Sequence, residues 1–147
     1  MGFVFQFYNL IPDLTVEENI EVVSDISESP LDLSEVLGAL ELEPYRRRFP
    51  RELSGGQQQR AAIARAMIKN PRLLLCDELT GALDTRSSKN VLQFVEKMNR
   101  QYGTTVVIIT HNEAIAKMAD QIIRIRDGRV EESVFNEKKI PAEALEL

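Results

Sequence analysis

Leu53-Ser54-Gly55-Gly56-Gln57 is the segment whose residue types most clearly invite chemistry. Ser54 and Gln57 have the Ser-x-x-Gln spacing of a capping box, in which each side chain satisfies the other's backbone N–H at a helix start. That local role alone explains Ser54 and Gln57, but not the two glycines. Glycine inside a helix costs about 1 kcal/mol against alanine, less in the first turn. Two in succession suggest that something approaches the backbone closely. The first N–H groups of a helix carry the positive end of its dipole and suit an anion, most often phosphate.

Two further polar clusters follow apolar runs. Leu73-Leu74-Leu75-Cys76 leads into Asp77-Glu78, and Val106-Val107-Ile108-Ile109-Thr110 leads into His111, the single histidine. Gln6 follows Phe3-Val4-Phe5 in the same way. Each has a plainer reading. An acid pair at a strand end can be solvated, a lone histidine is more often structural than catalytic, and Gln6 alone signifies little. Asp84 can simply cap the helix that follows it.

The elements that must position these residues alternate. Gly2–Phe5 reads as a strand. Thr15-Val16-Glu17-Glu18 has capping-box spacing and predicts a short helix. Leu33, Val36, Leu37 and Leu40 recur at helical spacing. A helix is predicted from about Gly55 to Lys69, ended by Asn70-Pro71. Arg72–Cys76 and Thr104–Thr110 read as strands buried on both faces. Ser87–Arg100 is predicted as a helix with Val91, Leu92, Val95 and Met98 on its apolar side, and Glu113–Met118 as another. Asp127-Gly128 between two strand-like runs is a hairpin signal. The charged segment from Asn136 onward reads as frayed.

Strands alternating with helices imply an α/β fold with a mainly parallel sheet. Ligands of such sheets sit at the carboxyl ends of the strands. That rule puts Gln6, Asp77-Glu78 and His111 along one edge.

Composition bounds the rest. The 147 residues suit one domain, with 44% hydrophobic and 28% charged residues. A net charge of −5 argues against nucleic acid, whose affinity comes mainly from Lys and Arg on phosphates. Cys76 is the only cysteine, so no disulfide forms within the chain, which fits a reducing compartment. No apolar run reaches the ~20 residues of a membrane span.

Leu53-Ser54-Gly55-Gly56-Gln57-Gln58-Gln59-Arg60 resembles the signature motif of ABC-transporter ATP-binding subunits. Leu73–Glu78 resembles their Walker B strand, Gly81-Ala82-Leu83-Asp84 their D-loop, His111 their switch histidine and Phe3-Val4-Phe5-Gln6 their Q-loop. Five motifs stand in the family's order. The resemblance implies a P-loop NTPase-like α/β fold, with a small helical insert at about 14–52 in a partial ATP-binding domain over 1–135 and a charged tail over 136–147. It implies ATP and Mg²⁺ as cofactors. Asp77 and Gln6 would serve the metal, and Glu78 would act as general base on the attacking water. His111 would meet the γ-phosphate. Ser54, Gly55, Gly56, Gln57 and Asp84 would face ATP held by a second ATP-binding subunit in a head-to-tail dimer.

A transmembrane permease subunit is the other implied partner, which puts the chain at the cytoplasmic face of a membrane. Gly81–Asp84 and Phe3–Leu10 resemble the branch exporting lipoproteins, macrolides or antimicrobial peptides. DNA-repair ATPases share a signature motif but carry long heptad coiled coils, and none occurs here.

Two departures stand out. Leu79 occupies the place where the family usually has proline. No Gly-Lys pair occurs, so these residues contain no G-x-x-x-x-G-K-[ST] phosphate loop. The expectation is an N-terminally truncated or mis-started chain that binds ATP weakly alone. The alternative is a non-catalytic partner lending its signature motif to another subunit's site.

Overall fold

A computed structural model describes residues 1–4 and 9–147. Strand β1 (Gly2–Val4) opens it, so Phe5, Gln6, Phe7 and Tyr8 lie outside the described residues. Helices α1 (Val16–Ser24) and α2 (Leu33–Ala39) come next. The main layer follows as α3 (Gly55–Met67), β2 (Leu73–Asp77), α4 (Thr85–Tyr102) and β3 (Thr105–Ile109). A short α5 (Glu113–Ala116) leads to β4 (Gln121–Arg126) and β5 (Arg129–Phe135).

Strands β1, β2 and β3 form a parallel sheet in that order, with Phe3 opposite Leu75 and Leu75 opposite Val107. Side chains alternate across a strand. Val4, Leu74 and Cys76 therefore share the face that is buried under the helices. That face cannot spare room at its first strand. A Cβ on Gly2 would stand 3.0 Å from Leu74 Cδ1 and 3.2 Å from the Ala66 carbonyl of α3.

The caps behave as the spacing predicts. Thr15 and Glu18 close a reciprocal capping box on α1, and Ser54 and Gln57 do so on α3. Helix α4 ends at Gly103 with φ +68°, the left-handed conformation that glycine adopts without steric cost. Its apolar residues Val91, Leu92, Val95 and Met98 are buried. Asp127 and Gly128 both have positive φ, as a two-residue hairpin turn joining β4 to β5 requires.

Helices α1 and α2 are anchored by polar contacts as well as by their buried Val16, Ile20, Val36 and Leu37. The buried Asn19 side chain accepts from the Ile11 amide and donates to the Ile11, Leu14 and Thr15 carbonyls, which fixes the entry to α1. Glu35 of α2 pairs with Lys97 of α4 and accepts from the Tyr102 hydroxyl.

Two expectations are corrected. Strands β2 and β3 are not buried on both faces. The face carrying Phe3, Val107 and Ile109 is open, with Ile109 62% exposed. An apolar strand sequence reports that a face can be covered, not which element covers it. The segment after Asn136 is not frayed. It turns back along α4, where Ala142 and Leu145 are buried and the Ala142 amide donates to Glu96. The Asn136 and Ile140 amides add bonds to the Asp120 and Lys117 carbonyls, and Ile140 packs on the core.

Candidate functional site

Strand β2 ends at Asp77, which is exposed, and the chain then turns sharply at Glu78. Glu78 has φ +50°, a conformation that costs a non-glycine residue about 1–3 kcal/mol and persists only where surroundings enforce it. Two backbone bonds and one side chain do so. The Glu78 amide donates to Ile109 O at the end of β3 (3.0 Å), the Gly81 amide donates to Glu78 O (3.0 Å), and Gln59 Nε2 reaches Glu78 O at 3.4 Å.

The turn aims the Glu78 carboxylate at the neighbouring strand end. His111 Nδ1 stands 2.8 Å from Glu78 Oε1. Glu78 is 23% exposed at its side chain and His111 86%, so the acid sits in the wall and the imidazole in the opening. The parallel register of β2 and β3 makes this meeting possible, since Asp77 pairs with Ile109, two residues before His111. The edge rule for α/β sheets thus holds for Asp77, Glu78 and His111. Gln6 lies outside the described residues.

The signature segment forms a second cluster. Ser54 Oγ accepts from the Gln57 amide (3.2 Å), and Gln57 Oε1 accepts from the Ser54 amide (2.9 Å). The Gly55 and Gly56 amides remain at the head of α3, where first-turn N–H groups have no helical acceptor. Gly56 faces the loop after Glu78. A Cβ there would lie 3.4 Å from Leu83 Cδ2 and 3.7 Å from Ala82 O. Asp84 caps α4 with both oxygens on Ser87, from the amide at 3.0 Å and the hydroxyl at 2.7 Å. Those two bonds, the amide first, hold its carboxyl below the usual aspartate range.

The same helix carries residues whose roles the sequence reading passed over. Gln58 Nε2 donates to Pro50 O (2.9 Å). Gln59 Nε2 donates to Leu79 O (2.7 Å), and Arg60 Nη1 donates to Leu40 O (2.9 Å). Three consecutive side chains thus tie α3 to the preceding loop, to the Glu78 turn and to the end of α2. The one sequence signal was a run of polar residues on a helix whose neighbours are alanines and isoleucine.

Leu79 is buried at 1% exposure, which accounts for an apolar residue at that place. Cys76 is buried under the helices, and desolvation pushes its thiol up to about 12. Among the described residues no cluster of three or more His, Cys, Asp or Glu could hold a metal by itself. An exposed aspartate beside a half-buried glutamate still fits Mg²⁺, which is commonly held by one or two carboxylates together with substrate phosphates. The bare amides of Gly55 and Gly56 fit a phosphate.

A parallel sheet backed by α3 and α4, with an acid and a histidine at adjoining strand ends, defines an α/β cassette with a polar site at one edge of its sheet. Residues 1–81 match the ABC transporter family, and the chain belongs to it. It is 42% identical over 132 residues to the ABC transporter ATP-binding protein YtrE of Bacillus subtilis, covering 86% of this chain and 57% of that protein. It is 45% identical over 134 residues to the macrolide export ATP-binding/permease protein MacB of Brucella melitensis biotype 1, covering 88% of this chain and 21% of that protein. Among solved structures, the dimeric ABC transporter cassette MJ0796 superposes with a TM-score of 0.84 at 40% identity, covering 93% of this chain and 63% of that one. The same cassette in a post-hydrolysis state bound to ADP and Pi gives a TM-score of 0.82 at 39% identity, over 92% of this chain and 62% of that one. The chain therefore spans half or less of the length of several curated relatives, such as 39% and 49% of two from Mycoplasma pneumoniae. The P-loop NTPase-like α/β fold expected from the motifs is the fold of these solved cassettes. Among the described residues no helix is long and apolar enough to cross a membrane.

Proposed function

We propose that this chain belongs to an ATP-binding subunit that couples ATP binding and hydrolysis to substrate movement by a membrane permease. The observation that carries the reading is the 2.8 Å contact between Glu78 and His111 at the ends of adjacent parallel strands. Glu78 orients the attacking water and accepts its proton. His111 holds the carboxylate from the open side and presents its other ring nitrogen outward, toward the γ-phosphate. Asp77, with Gln6, would hold Mg²⁺. The bound ion would neutralise charge on the phosphate oxygens.

The head of α3 serves a second nucleotide. Ser54, Gly55, Gly56 and Gln57 are offered to ATP held by a second ATP-binding subunit in a head-to-tail dimer, with Asp84 and its loop at the seam. The dimeric form of MJ0796 and the joined ATP-binding and permease parts of MacB support a paired subunit and a membrane partner. The post-hydrolysis ADP complex of MJ0796 supports ATP as the nucleotide. Attachment to the cytoplasmic face of a membrane would run through the permease. The macrolide export of MacB supports placing the chain in the branch that exports lipoproteins, macrolides or antimicrobial peptides, through its macrolide member alone.

These residues contain no Gly-Lys phosphate loop, so ATP binding within them alone is expected to be weak. The capped, glycine-headed helix supports a second reading, a partner that completes another subunit's site without hydrolysing ATP itself. The deciding experiment mixes the purified chain with a full-length ABC cassette and measures ATPase rate. Stimulation that is lost in Ser54→Arg and kept in Glu78→Gln supports the helper reading. Stimulation lost in both supports hydrolysis at Glu78. No stimulation sinks pairing through α3.

A further inference from the structure

Gln59 is the one side chain of the signature helix that grips the backbone of the Glu78 turn. It is 2% exposed. Its Nε2 donates to Leu79 O at 2.7 Å and reaches Glu78 O at 3.4 Å. Two facing carbonyls can be served only by the amide nitrogen, which fixes the orientation of the group. Its Oε1 is buried with no hydrogen-bond partner among the described residues. A buried polar atom left unsatisfied is unfavourable. The sequence nevertheless places an amide here, where an apolar residue of the same length would avoid that cost. The donated bonds are what the amide supplies and an apolar side chain cannot.

Those bonds fall on a strained point. Glu78 holds φ +50° between its tethers to Ile109 and Gly81, and among the described residues only the Gln59 tether comes from α3. We propose that Gln59 is a positioning residue: it fixes the Glu78–Leu79 peptide to α3 and so sets the direction in which the Glu78 carboxylate meets His111. Gln59 lies about one turn along the helix from Gly55 and Gly56. A change in the seating of that helix head therefore reaches Glu78 by a single side chain. The same two segments also run close at Gly56, where an added Cβ would stand 3.4 Å from Leu83 Cδ2. The role of Glu78 in hydrolysis is the reading on which this rests.

The test uses the only histidine as a reporter. With one imidazole in the chain, the ring Cδ2–H and Cε1–H signals of His111 are assigned without ambiguity in proton–carbon correlation spectra. Gln59→Met keeps length, removes the donor and removes the orphan oxygen, so the fold is expected to survive. Gln59→Asn, which retracts the amide by one methylene, stands in if the Met variant does not fold. Gln58→Met is the control, since Gln58 grips Pro50 and Leu53 on the same helix and not the Glu78 turn. Gln59→Met is expected to displace the His111 signals in the direction set by Glu78→Ala, while Gln58→Met leaves them in place. In a hydrolysing cassette that carries these residues, Gln59→Met is expected to lower kcat about tenfold or more with KM little changed. His111 signals of Gln59→Met that coincide with wild type overturn the proposal, as does equal displacement by Gln58→Met. Full hydrolysis in Glu78→Gln overturns the assignment of Glu78 instead, and leaves the ring signals to decide Gln59.

Discussion

Glu78 Oε1 and His111 Nδ1 lie 2.8 Å apart although 33 residues separate them in the chain. The contact joins the ends of β2 and β3, and neither residue contributes to the apolar core. Glu78→Gln is therefore expected to leave the melting temperature close to wild type. Hydrolysis by a cassette carrying it is expected to fall about 100-fold or more, the usual cost of losing a general base. Nucleotide binding, measured by fluorescence titration, should persist. Unchanged turnover would remove Glu78 from the chemistry.

The head of α3 separates fold from function. A methyl group on Gly56 meets Leu83 Cδ2 at 3.4 Å, an ordinary contact, and the helix itself prefers alanine. Gly56→Ala should thus change thermal stability by less than about 1 kcal/mol in either direction. The same methyl obstructs approach to the Gly56 amide. Stimulation of a partner cassette should drop sharply. A variant that stimulates normally would show that nothing approaches this backbone.

Cys76 gives a chemical probe of the sheet. It is buried, and desolvation pushes its thiol up to about 12. The thiolate is the reactive form. Maleimide at pH 8 should therefore leave the native chain unlabelled for hours and modify it at once in guanidinium. Rapid labelling without denaturant would mean that β2 is not covered on its Cys76 side.

Stability should fall on the acid side through the carboxylates that hold ion pairs. Hydrogen bonding to Lys97 depresses the Glu35 carboxyl below its ordinary 4.5, against the opposing effect of partial burial, and the Tyr102 hydroxyl assists. A depressed carboxylate stabilises the fold above its unfolded pKa, and that contribution disappears as pH falls through the folded value. The loss is thus expected to begin near pH 4.5 and continue below it. The pair is partly exposed, so Glu35→Gln should cost only about 1–2 °C of melting temperature at pH 7. The difference from wild type should shrink in acid. A difference that grows in acid would contradict this ion-pair account.

Local signals in the sequence carried far. Thr15, Ser54 and Asp84 announce their helices because a cap needs only partners two or three residues away. Asp77, Glu78 and His111 were placed on one edge by the topology rule for parallel sheets. What stayed hidden depends on contacts far along the chain. Gln59 reads as a generic helix former, since its acceptors lie 19 and 20 residues on. The open face of Val107 and Ile109 was equally hidden, because an apolar strand looks the same whether or not an element lies over it. The docked tail was masked by charge, which outnumbers its buried Ala142 and Leu145.

That tail gives α4 a latch. Leu145 is 1% exposed, the Ala142 amide is hooked to Glu96, and Lys89 reaches Glu143 O at 3.4 Å. The last turn of the chain is thus seated like a key in the flank of the helix that starts at Asp84. Amide exchange at Ala142 would be a clock for how often α4 lets go of it.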